Sequence, residues 1–85
     1  MRTEPAEIWP PCVFIIEEMR ARGWRVAELA EHMGWPHARA SELVRGLLIV
    51  DDGTAAALSR AFGSSPEYWL NLQRHFFEAL DAALN

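Results

Sequence analysis

Four of the five glycines in this chain each follow an apolar pattern with helical spacing, and that punctuation limits it to short helices. Cys12, Ile15, Ile16 and Met19 recur at i, i+3, i+4 and i+7 before Gly23, and Val26, Leu29, Ala30 and Met33 repeat the spacing before Gly34. Ala40, Leu43, Val44 and Leu47 give it a third time with Gly46 near the end, and Ala55, Leu58 and Phe62 lead to Gly63. Glycine just past the last periodic residue is the expected helix stop, and Arg20 and Arg22 suit a helix C-terminus by charge. The starts are marked too. Trp35-Pro36 opens the third pattern with proline at the first helical position, Asp51 can cap the fourth, and Ser65-Pro66-Glu67 caps and opens a fifth. Strand alternation is almost absent. The expectation is an all-α domain of five helices over residues 12–85, ending in a helix over about 65–84. An arm over residues 1–11 precedes it, extended towards Pro10-Pro11 because proline disfavours helix in the residue before it.

Composition bounds what such a domain can do. Eighty-five residues suffice for one modest core, and at this size oligomerisation is a natural source of extra buried area. The net charge is −4, and all eight bases are arginine. A chain this acidic lacks the broad positive surface that attracts nucleic acid or anionic membrane, so any polyanion binding must come from a local arginine patch. No apolar stretch approaches the roughly 20 residues of a bilayer span, and Glu17-Glu18 ends the apolar run from Cys12 to Ile16, which excludes a secretory signal there. With a single cysteine no intramolecular disulfide is available, and a cytoplasmic location is expected.

The fifth helix carries more apolar surface than one core contact needs. At about 100° per residue from Trp69, the residues Leu72, Phe76, Leu80 and Ala83 form one stripe. Leu70, Phe77 and Leu84 form a second stripe beside it, and the combined arc is about 160° against the roughly 100° of an ordinary core-facing helix. Two arrangements satisfy it: a homodimer through Leu70, Phe77 and Leu84, or the arm folded over them.

The second and third helices, joined through Met33-Gly34-Trp35-Pro36, have the proportions of a helix-turn-helix. Ala38, Ser41, Glu42 and Arg45 point away from the apolar face of the third helix, and His37 and Arg39 flank its N-terminal end, the end that a recognition helix inserts into the major groove. Ala27-Glu28-Leu29-Ala30, Gly34, Pro36, Ser41-Glu42-Leu43, Gly46 and the run Ala61-Phe62-Gly63-Ser64-Ser65-Pro66-Glu67-Tyr68-Trp69-Leu70-Asn71-Leu72-Gln73 resemble the HigA-type antitoxins. These are a branch of the Cro/phage-repressor-like (XRE) helix-turn-helix proteins. The resemblance runs without gaps from about Ile8 to about Gln73, and its most specific part is Ser65 to Gln73. It implies a five-helix phage-repressor-like domain, a homodimer, operator DNA as partner, regulation of transcription, and in many members a toxin protein that the antitoxin neutralises.

Position by position, the resemblance places His37, Ala38, Arg39 and Glu42 against bases. It places Arg25, Ser41 and Arg45 on phosphates. His37 can donate or accept at a base edge, Ala38 offers a methyl contact to thymine, and Glu42 can accept from cytosine N4. Where the family has a phosphate-binding Gln this chain has Val26, its Ser/Thr cap is Arg25, and the Asn that closes the recognition helix is Arg45. Leu47-Leu48 replace a Lys-Arg pair, and Pro11-Cys12-Val13 replaces Pro-Gly-Glu. Arg39, Arg45 and Arg60 balance Glu42, Asp51 and Asp52, so the segment from Pro36 to Arg60 has no net charge. Each lost phosphate contact lowers the salt slope of binding by about 0.9. The alternative function is therefore a protein-interaction module that keeps the fold and has lost specific DNA binding. The run Leu47-Leu48-Ile49-Val50 has two readings of its own, packing beside the fourth helix or a partner-binding loop.

No enzyme is expected. Cys12 lies on an apolar stripe without a histidine partner, and no carboxylate pairs as acid and base. His32, His37 and His75 are expected to be solvated and not metal ligands, since the first two, five residues apart, do not share a helix face. Trp9, Trp24 and Trp35 are expected at core edges and Trp69 within the core. No cofactor, metal, membrane or small-molecule substrate is implied.

Overall fold

The ends of the helices show why the chain divides as it does. The structure, a computed structural model, describes residues 8–84; the first seven residues of the expected arm and Asn85 lie outside the described residues. Five helices follow one another: α1 (Pro11–Arg22), α2 (Val26–Met33), α3 (His37–Val44), α4 (Asp52–Phe62) and α5 (Pro66–Leu84). After α1, the Gly23 and Trp24 N–H groups return to Arg20 O at 3.1 Å and Met19 O at 2.9 Å; after α2, those of Gly34 and Trp35 return to Glu31 O at 3.2 Å and Ala30 O at 2.9 Å. These paired bonds satisfy the last helix carbonyls around a left-handed residue. At the starts, the Asp51 carboxylate accepts from Thr54 N–H at 2.8 Å and Ser65 Oγ from Tyr68 N–H at 3.2 Å, both of which are N-caps. Arginine has no acceptor with which to cap α2. There Glu28 reaches back instead, accepting from Arg25 N–H at 2.6 Å.

Two boundaries differ from expectation by one residue. Pro11 is the first residue of α1 and not the end of the arm, because the restriction it imposes falls on Pro10, which is extended at ψ 159°. Pro36 is the N-cap of α3, with ψ 146°, and His37 is the first helical residue.

Helix α2 packs on α3 and α4, α1 on α3 and α5, and α4 on α5. Their shared interior holds Ile15, Leu29, Met33, Leu43, Leu58 and Trp69, all essentially inaccessible. Trp24 and Trp35 sit half-buried against this core, as expected of junction tryptophans. Trp69 is buried and donates to Ser64 Oγ at 2.8 Å. The deepest line of α1 is Pro11, Ile15 and Met19, with Cys12 and Ile16 only partly covered.

One polar side chain joins the core. Gln73 is 7 % exposed, and its Oε1 accepts from Val50 N–H at 2.7 Å. That bond ties the chain leaving α3 to the middle of α5, so the loop after α3 is fixed from below. Among the described residues no helix is long and apolar enough to cross a membrane.

Candidate nucleic-acid interface

Helix α3 is short and sharply two-faced. Ala40 and Leu43 are buried against the core, whereas His37, Ala38, Arg39 and Glu42 are exposed. By helical spacing Ala38 and Glu42 stand opposite the buried line and His37 and Arg39 on its two flanks; three of the four are in the first turn, where unpaired N–H groups also favour an anionic ligand. Arg25 is exposed at the N-cap of α2 and Arg45 at the C-cap of α3, while Ser41 is half-buried between the two faces.

Arg39 is held more firmly than its exposure implies. Its guanidinium carbon lies 4.2 Å from the centre of the Trp35 ring, a close cation–π contact. Asp51 at the start of α4 faces the same region. Its carboxyl is kept below the ordinary 3.8, first by the Thr54 hydrogen bonds and further by the charge of Arg39. Three other arginines act within the fold: Arg22 pairs with Glu18 at 2.6 Å, Arg60 donates to Met33 O at 3.0 Å, and Arg74 reaches Glu78 at 3.9 Å. The Arg60 bond anchors α4 to the carbonyl that ends α2, bracing the helix-turn-helix from behind.

The loop after α3 departs from the expected helical stripe. The spacing puts Leu47 on the inward line with Ala40, Leu43 and Val44, yet it is 62 % exposed. The helix ends at Val44, and Gly46, at φ +82°, turns the chain so that the seven-residue spacing no longer applies. Leu48 packs against the core, Val50 is buried, and Ile49 is exposed. The loop thus divides between its two readings: Leu48 and Val50 fill the core, and Leu47 and Ile49 line an apolar groove with Cys12, Phe76 and Phe77. On α5, Leu70 packs against the core, whereas Phe77 is 48 % and Leu84 83 % exposed. The described end of the arm, Ile8 and Trp9, lies beside Leu72, Phe76 and Ala79 on the other flank of α5 and does not cover Phe77.

With this geometry established, the chain can be compared with known proteins. The family model described as Helix-turn-helix matches residues 15–69, a span from α1 through the start of α5. The chain belongs to the helix-turn-helix family. Solved structures extend the likeness of this helix-turn-helix protein over nearly its whole length. An addiction module antidote protein of the HigA family from Coxiella burnetii is 28% identical, with a TM-score of 0.80 over 87% of this chain and 82% of that one. A protein assigned as an antidote of a plasmid maintenance system from Nostoc punctiforme is 25% identical, with a TM-score of 0.79 over 92% of this chain and 88% of that one. No curated protein sequence matches the chain significantly. The five-helix, XRE-type architecture and the HigA likeness drawn from Ser65 to Gln73 are thereby both found in three dimensions.

Two residues of the site were not singled out by sequence reasoning. Gln73 stands at about 40° on the α5 wheel, inside the apolar arc, and a polar residue there requires a buried partner. For Trp35 the sequence offers base stacking or, preferably, a core edge, and not a contact with Arg39; the spacing of four residues between them is the available signal.

Proposed function

We propose that the protein is a DNA-binding transcriptional regulator of the antitoxin kind, acting as a homodimer on a pseudo-palindromic operator with its two α3 helices about 34–36 Å apart. The observation that carries this reading is the exposed first turn of α3, locked in place by Ala40 and Leu43 beneath it. In it His37 and Arg39 donate to bases and Ala38 meets a thymine methyl, and one turn later Glu42 accepts from cytosine N4. Arg25, Arg45 and Ser41 take phosphates. Phe77 and Leu84 supply the dimer face, with Leu70 beneath them tied to the core. The likeness to antidote proteins supports a toxin protein as a further partner, and a regulatory role without catalysis accords with the family.

A second reading is favoured by the groove. Exposed Leu47 and Ile49 beside Phe77 fit a protein-interaction module that keeps the fold and lacks specific DNA affinity. Titrating the purified protein against the DNA upstream of its own gene, at several salt concentrations, separates the two. Specific retention at physiological salt is the result expected of the regulator. Binding no tighter than to a random duplex sinks it and leaves the interaction module.

A further inference from the structure

We infer that Trp35 is a positioning residue for DNA specificity: its ring clamps Arg39 with the guanidinium edge presented to a guanine, so that this one pair sets sequence preference while Arg25 and Arg45 supply only affinity. The inference rests on the DNA-binding reading and deepens it.

The platform is fixed before any ligand arrives. Trp35 N–H is bound to Ala30 O at 2.9 Å, the preceding Gly34 is at φ +72° and the following Pro36 is confined by its own ring at φ −62°. The indole also packs against the core. Arg39, third residue of α3, is placed against the local preference of a helix, whose N-terminal dipole disfavours a cation. The Trp35 ring beneath it offsets that penalty through the cation–π contact. A residue that breaks a local rule and is compensated by its neighbours marks a functional position.

Stacking also decides what Arg39 can still do. The guanidinium carbon lies over the ring, and the five N–H donors lie in the guanidinium plane. Among the described residues none of those donors is engaged, unlike those of Arg22 and Arg60. A planar fork whose carbon is held over a fixed ring suits guanine O6 and N7, and the contact lessens the ordering that binding requires. Arg25 and Arg45 are exposed and, among the described residues, have no aromatic platform, which suits point contact with phosphate.

The test uses the full chain and begins without DNA. In the wild type, NMR of the Arg39 side chain should show upfield ring-current shifts that persist in Trp35→Phe and vanish in Trp35→Leu. Unshifted Arg39 protons in the wild type overturn the clamp. Selection from a random-sequence duplex pool then yields the preferred site, and each G·C pair in it is replaced in turn. Discrimination at one G·C pair should fall about tenfold in Trp35→Leu and in Arg39→Lys, with affinity for random duplex and the salt slope unchanged. Trp35→Phe should retain it, and Trp35→Leu combined with Arg39→Lys should lose no more than either alone. If the variants keep the discrimination, or weaken every sequence equally, the positioning role is wrong while DNA binding stands. If the wild type enriches no sequence, the regulator reading fails and takes this inference with it. Arg39→Lys leaves the fold's packing untouched, so the result does not depend on how well Trp35→Leu folds.

Discussion

Gln73 and Asp51 show how much single polar atoms determine at the residue scale. The Gln73 side chain is the partner of a buried Val50 N–H, so Gln73→Leu removes the acceptor and leaves the donor unsatisfied. A loss of about 1–3 kcal/mol in unfolding free energy is expected, measured by urea denaturation. Asp51 caps α4, and Asp51→Ala should lower stability by about 1 kcal/mol at neutral pH. Its native carboxyl titrates below the ordinary 3.8 because of the Thr54 hydrogen bonds and then the Arg39 charge. Its contribution is therefore complete above that value and is lost as pH falls through the lower native one. Asp51→Asn keeps a cap acceptor but cannot titrate, so its stability should decline less than the wild type's below about pH 4, read from denaturation curves across a pH series. Asp51 was legible as a cap from its position before α4. Gln73 needed the helical wheel and a known partner, and Val50 comes from 23 residues upstream.

At the scale of elements, similar stop signals lead to different outcomes. Gly23, Gly34 and Gly46 all have positive φ, and each is followed by an apolar residue. Trp24 and Trp35 fold back onto the core, whereas Leu47 does not. At Gly46 a Cβ would lie 3.2 Å from Cys12 Sγ, so α1 approaches the turn closely, and φ +82° is itself unfavourable for an L-residue. Gly46→Ala should destabilise the protein by about 1–2 kcal/mol, measured by denaturant melting. The five helices were legible because glycine, proline and caps act within a few residues of themselves. The outward turn of Leu47 was not, because periodicity cannot register where a helix gives way to a left-handed residue.

For the whole molecule, the surface distribution of charge and apolar area matters more than the totals. The net −4 is compatible with local positive charge on the helix-turn-helix, where Arg25 before α2, Arg39 in α3 and Arg45 after it are accessible while Arg22, Arg60 and Arg74 have partners within the fold. Of the two leucines that stand where the family has cations, only Leu47 is a surface position, since Leu48 packs inward. Leu47→Lys should therefore raise affinity for all duplexes alike and steepen the salt slope by about 1 per subunit, whereas Leu48→Arg would damage the core. Phe77→Glu should give a folded monomer in sedimentation equilibrium with unchanged helix content, because the ring is half-exposed within one chain. An unchanged dimer mass would remove Phe77 from the interface. The sequence alone determined the helix count, the caps, the two faces of α3 and the family likeness, all of which depend on neighbours a turn or so apart. Only the tertiary structure decided that Leu48 faces in and Leu47 out, that Gln73 holds Val50, and that Arg60 holds the Met33 carbonyl. Those pairings join elements distant in sequence, and packing and close-range electrostatics act through space without regard to chain order.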